Sequence, residues 1–168
     1  MTPIDEAIAL WELYRKGVIA ELENIPEEQW DYRPGPGART LRELAIHIAG
    51  AAAGFTQELL ASEPSFMKLR DPQAQAKLMA SWDGVTGKAD FVKQLTSSGE
   101  ASMQSLRKAS ATLANQTMKL MSTEQSRLSG LWFAVAHEAY HRGQLATYAR
   151  GMGLVPAMTK QSQTPPKA

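Results

Sequence analysis

The stretch HEAYHRGQL, residues 137–145, holds two of the chain's three histidines. His137 and His141 are four residues apart, so on a helix they stand one above the other on one face. With Glu138 between them they spell H-E-x-x-H, the pattern in which zinc proteases bind metal through both imidazoles and use the Glu as general base. The remaining histidine, His47, lies far upstream among Leu44, Ile48 and Ala51.

At 100° per residue, the face of His137 and His141 also carries Gly130, Phe133, Ala134, Gln144 and Tyr148. It is mostly apolar, so it is expected to look inward. His47 falls at the margin of another apolar stripe. All three histidines can then point into the fold from facing helices, where helical bundles build metal sites. Two readings follow: core histidines held by hydrogen bonds, or ligands of a shared cation. Unpaired imidazoles in an apolar interior need partners, and a metal supplies one.

The protease reading fails on its third ligand. From Arg142 to Ala168 there is no His, Asp or Glu. The longer pattern H-E-x-x-H-x-x-G-x-x-H also breaks, with Gln144 at its glycine position and Thr147 at its last. A third ligand must come from upstream, and His47 is the candidate.

The elements that must position these residues read as helices. Thr2-Pro3 suits a cap followed by proline at the first helical position. Ile4, Ile8, Trp11, Val18 and Leu22 then recur at helical spacing, which predicts a first helix over 3–24. Pro26 to Arg39 is a turn-rich connection. Thr40-Leu41-Arg42-Glu43 is a capping box opening a second helix over 41–62. The segment 63–88 is less regular, with a short helix over 73–81. Helical spacing resumes over 89–114. A second capping box is expected at Ser122–Gln125, and a last helix runs to Arg150, with Gly151 and Gly153 as its stop. No segment alternates like a strand. The fold class expected is all-α: a four-helix bundle, antiparallel, with a crossover connection. The bundle domain covers 1–156, and 157–168 is expected to be a flexible tail.

Composition limits the partners. With 43% apolar and 21% charged residues, the 168-residue chain reads as one globular domain. Its net charge of +1 gives no pull toward nucleic acid. No apolar run approaches the roughly 20 residues that span a bilayer. The first residues, MTPIDEAIALWELYRKG, carry acids early and do not read as a signal peptide. Cysteine is absent, which excludes thiolate ligands and nucleophiles from the chain itself. A cytoplasmic protein acting on a small molecule is the expectation, with neither nucleic acid nor membrane as partner.

The motif H-x-x-x-H-R-G-Q-L followed by Arg150-Gly151-x-Gly153-x-x-Pro156 resembles the DinB family, also called DinB/YfiT-like. Upstream, Pro34 and Gly37 followed by Thr40-Leu41-x-Glu43-Leu44-x-x-His47-Ile48 resemble that family's histidine-bearing block. The likeness covers about Trp30 to Pro156. It implies a bundle with a crossover, often a homodimer, and a divalent metal, nickel or zinc, on His47, His137 and His141. It also implies thiol chemistry: family members of known activity are S-transferases using bacillithiol, mycothiol or glutathione, or isomerases working with such thiols.

Three neutral imidazoles leave a metal with an open position, the mark of a catalytic rather than a structural site. A ligated thiol is deprotonated, and a ligated water is acidified. The expected activity is therefore transfer of a low-molecular-weight thiol to small electrophiles. Alternatives are a metal-dependent hydrolase using bound hydroxide, and a non-catalytic, stress-related protein that binds metal or ligand. Gln144, on the metal-facing side, and Glu138 are the catalytic candidates, although Glu138 is favoured as a solvated surface acid. Trp30 and Tyr148 are candidates for lining a substrate pocket, with Trp82 beside them, and core packing is their other reading. Arg142 is expected to be a surface or interhelix ion-pair residue. Metal affinity is expected to fall as pH drops through about 6.5, the range of an ordinary imidazole.

Overall fold

The computed structural model describes residues 2–163. Four long helices make the bundle: α1 (Pro3–Asn24), α2 (Leu41–Leu60), α4 (Lys88–Leu113) and α5 (Arg127–Gly151), with a short α3 (Pro72–Ala80) in the second connection. Both of the first two starts are capping boxes. Thr2 and Asp5 satisfy each other's backbone donors, and so do Thr40 and Glu43.

The core has two halves, and they give the helix directions. In one, Ile4, Ile8 and Trp11 of α1 meet Phe55 and Leu59 of α2, Met103 and Leu106 of α4, and Leu131 and Val135 of α5. In the other, Val18 and Leu22 meet Leu41 and Leu44, Phe91 and Leu95, and Leu145 and Ala149. The helices therefore run up, down, down, up. Helix α1 packs on α4 and α5, and α2 also packs on α4 and α5. The parallel pair α2 and α4 requires the chain to return the length of the bundle between them. That return, 61–87, is the expected crossover.

The crossover closes against α2 because two positions there lack a side chain. A Cβ on Gly50 would stand 2.5 Å from the Met79 methyl, and one on Gly54 would stand 2.8 Å from Leu69 and Leu78. Leu69 lies in a 3-10 helix (Phe66–Arg70), and Leu78 and Met79 lie on α3. The two glycines, one turn apart, let this segment sit down on the helix.

Three expectations are corrected. Two strands do exist, β1 (Thr117–Leu120) and β2 (Thr123–Ser126), paired antiparallel with Thr117 opposite Ser126. The first, T-M-K-L, alternates over only four residues, and the second, T-E-Q-S, is polar and exposed throughout, too little to read as a sustained strand pattern. Met121, in the turn, takes a left-handed φ of 55°. Ser122–Gln125 is consequently turn and strand rather than a capping box, and Ser126 caps α5 instead, accepting from Ser129 N–H. Third, α6 (Ala157–Gln163) is a helix where a flexible tail was expected. Buried Glu21 of α1 accepts from the backbone N–H groups of Ala157 and Met158, a capping contact from a distant carboxylate that local sequence cannot reveal. Residues 164–168 lie outside the described residues.

Gly54→Val should crowd Leu69 and Leu78 and lower stability by about 1–3 kcal/mol. Urea unfolding checks this, and an unchanged midpoint would mean that the crossover does not rest on α2 there.

Candidate metal centre

Helices α2 and α5 are antiparallel neighbours, and their shared groove holds all three histidines. The Nε2 atom of His141 lies 3.1 Å from Nε2 of His47 and 3.1 Å from Nε2 of His137. One ligand atom from each residue lies within 4.8 Å of the others. Among the described residues no Asp or Glu joins the set.

The protonation pattern favours a cation there. Nδ1 of His141 is 2.6 Å from Oε1 of Gln144, so Nδ1–H donates to the amide oxygen and Nε2 is left with its lone pair. That single lone pair cannot accept well from two further imidazoles at once. A cation would satisfy all three nitrogens together. The two 3.1 Å separations, within a set that spans no more than 4.8 Å, bring the three nitrogens near enough for one divalent ion to draw them together. The residues present thus fit the group. They would leave part of its coordination open.

Burial keeps the imidazoles neutral. Desolvation pushes the pKa of His47 down to about 4, helped by the charge of Arg39 and then by His141. His137 is pushed down to about 3, chiefly by burial and then by His141 and His47. His141 is lowered too, by burial, against the opposing Gln144 hydrogen bond. Proton competition for the ligand nitrogens therefore moves well below the 6.5 expected for ordinary imidazole.

Glu138 does not face this cluster, and it is not a surface acid. One residue on from His137, it turns about 100° toward α1 and is 1% exposed. Its Oε1 accepts from Arg15 Nε at 2.5 Å and its Oε2 from Arg15 Nη2 at 2.9 Å. Trp11 Nε1 donates to Oε2 at 3.3 Å. A carboxylate held this way is a fastener between helices.

The other sequence candidates divide. Gln144 lies at the site, donating through Nε2 to the Tyr140 hydroxyl at 3.2 Å. Tyr148 lines a neighbouring groove and donates to the Arg39 carbonyl at 2.9 Å. Trp30 and Trp82 do not line the site: both stack on Phe91 in the core, at 5.4 and 4.8 Å between ring centroids. Arg142 makes no ion pair among the described residues and instead covers the Tyr14 ring at 4.4 Å.

One cavity reaches the histidines, and a second groove, which no histidine lines, lies beyond Gln144. On the His47 and His137 side is a cavity of about 260 Å³ with walls of Phe55, Phe66, Leu69, Leu78, Met79 and Phe133. Arg70 and Gln75 are its polar residues apart from the two histidines. On the Tyr140 and Gln144 side is a groove of about 800 Å³ that also takes in Arg39, Thr147 and Tyr148. Sequence reasoning missed Arg15 and Arg39. Arg15 had a signal, since it shares the buried face of Trp11 and Val18, and a cation on such a face calls for a buried partner. Arg39, in the turn-rich connection, had none.

Comparison with known proteins defines the class. The fold resembles the DinB-like protein YjoA of Bacillus subtilis, with a TM-score of 0.67 and 19% identity over 88% of this chain and 92% of that one. It also resembles a DinB-family structure from Exiguobacterium sibiricum 255-15, with a TM-score of 0.63 and 22% identity over 91% and 94%. The DinB family model matches residues 2–167, and the chain belongs to that family. No curated protein matches the sequence. Among the described residues, no helix is long and apolar enough to cross a membrane.

Glu138→Gln should cost about 3–5 kcal/mol, because it leaves the Arg15 guanidinium buried without its counter-charge. Chemical denaturation tests this, and a loss below 1 kcal/mol would mean that the pair is not holding α1 to α5. A pH effect follows from the histidines. Below 6.5 the unfolded chain takes up protons that folded His47 and His137 refuse until about 4 and about 3. The metal-free protein is then fully stabilised above 6.5 and loses stability as pH falls from there toward 4 and below. Melting temperatures from pH 7.5 to 4.5 should decline, and His137→Ala should flatten part of that slope.

Proposed function

We propose that this DinB-family protein is a metal-dependent transferase that joins a low-molecular-weight thiol to small electrophiles. The observation that carries the reading is the convergence of three imidazole nitrogens from two helices beside a cavity that His47 and His137 line. His47, His137 and His141 would hold a divalent ion, nickel or zinc. When bound, such an ion lowers the pKa of a ligated thiol so that it is ionised near neutral pH. The chain has no cysteine, so the sulfur comes from a cosubstrate such as glutathione, bacillithiol or mycothiol.

The protein's own residues supply position and environment. Gln144 fixes the tautomer and ring angle of His141, as carbonyl partners of metal-bound histidines do. Phe55 stands edge-on to His137 at 5.1 Å and to Phe133 at 5.6 Å, making the cavity on that side apolar. In the transfer itself, sulfur forms a bond to carbon, the leaving group departs with the electron pair, and the thiol proton passes to solvent. With Glu138 occupied by Arg15, no carboxylate base takes part. A homodimer in the cytoplasm belongs to this reading. Exposed Leu13 and Trp132 support the first, and the lack of cysteine suits the second.

His137→Ala should lose most of the metal that the parent chain retains through desalting, as measured by elemental analysis. Equal metal in both proteins would remove the site. With metal present, turnover of a model electrophile should require added thiol; turnover in water alone would favour hydrolysis, and metal retention with neither activity would favour a binding protein.

A further inference from the structure

The two openings differ in chemistry, and that difference assigns their occupants. The cavity beside His137 is walled mainly by apolar side chains. A low-molecular-weight thiol is studded with amide, hydroxyl and charged groups, and burying them there would strand most of them without partners. The groove is three times larger, is lined by Arg39, Tyr140, Gln144 and Thr147, and adjoins the cluster through Gln144, whose Oε1 meets His141 Nδ1 at 2.6 Å. Tyr140 is 65% exposed, and its hydroxyl accepts from Gln144, so its own proton is free to donate into the groove.

Charge narrows the choice further. Neither opening is lined by an Asp or Glu. The Arg39 guanidinium is exposed, and among the described residues it makes no side-chain hydrogen bond or ion pair. Its backbone is pinned, because Tyr148 donates to its carbonyl. A fixed backbone, an unengaged fork of donors and no competing acid are what a carboxylate-recognising arginine requires.

We infer that the groove is an anion subsite in which Arg39 selects a carboxylate-bearing thiol, while the apolar cavity receives the electrophile. This rests on the thiol-transfer reading and adds its specificity. Glutathione and bacillithiol carry carboxylates and fit the groove. Mycothiol carries none and leaves Arg39 unmatched.

Isothermal titration calorimetry on the nickel-loaded protein tests the assignment. The ligands are glutathione, S-methylglutathione (the same carboxylates with the sulfur blocked) and uncharged 2-mercaptoethanol. Arg39→Gln should weaken both glutathione forms by roughly ten- to a hundredfold and leave 2-mercaptoethanol unchanged. Arg39→Lys should recover part of the loss, and Arg70→Gln, at the other opening, should cause none. Glutathione binding that is unchanged in Arg39→Gln, weakened equally with 2-mercaptoethanol, or weakened instead by Arg70→Gln overturns the subsite. If glutathione still outbinds its S-methyl form in those cases, the thiol reading survives. Arg39-dependent binding of S-methylglutathione as tight as that of glutathione keeps the subsite and removes the thiol reading. Absence of binding by all three ligands overturns both.

Discussion

Everything at the site depends on the rotation of α5 about its own axis, and the ion pair between Glu138 and Arg15 sets that rotation. Consecutive helical residues diverge by about 100°, so His137 and Glu138 cannot face the same way. Glu138 is taken by Arg15 and Trp11 on α1. His137, and His141 one turn on, must then face α2. A buried pair of this kind is a weak source of net stability, since both charges give up hydration. Its value here is orientation: a rotated α5 would leave a charge buried without its partner.

The same groove is prepared from the α2 side by shape. Gly50 and Gly54 admit the crossover segment, which brings Leu69, Leu78 and Met79 over the histidines. This cover lowers the local polarity, and loss of hydration keeps the imidazoles unprotonated. Neutral imidazole is the form a metal needs. Packing of an irregular connection and the neutral state of the candidate ligands are therefore one effect. The cover is partial, and the cavity it leaves beside His47 and His137 is walled mainly by apolar side chains.

Much of this was legible in the residues. Helical spacing and capping gave the four long helices within a few residues, because an amphipathic stripe is a local property of the chain. The histidine pair on one face of α5 is equally local. The hairpin was hidden because one four-residue alternation paired with a wholly polar strand is too short a period to detect. Glu138 was misread because its neighbours in sequence do not say which of two adjoining faces meets α1.

The sequence by itself determined which side chains were available: three histidines, no cysteine, a Gln one turn from a His, and the helices that carry them. Tertiary structure decided what those side chains meet. It closed the chain between His47 and His141, turned Glu138 inward to Arg15, set Trp30 in the core and left Arg39 beside the groove. Spacing within one helix follows from backbone geometry, whereas contact between helices follows from their relative rotation and crossing. Those are fixed only when all the buried surfaces are packed together.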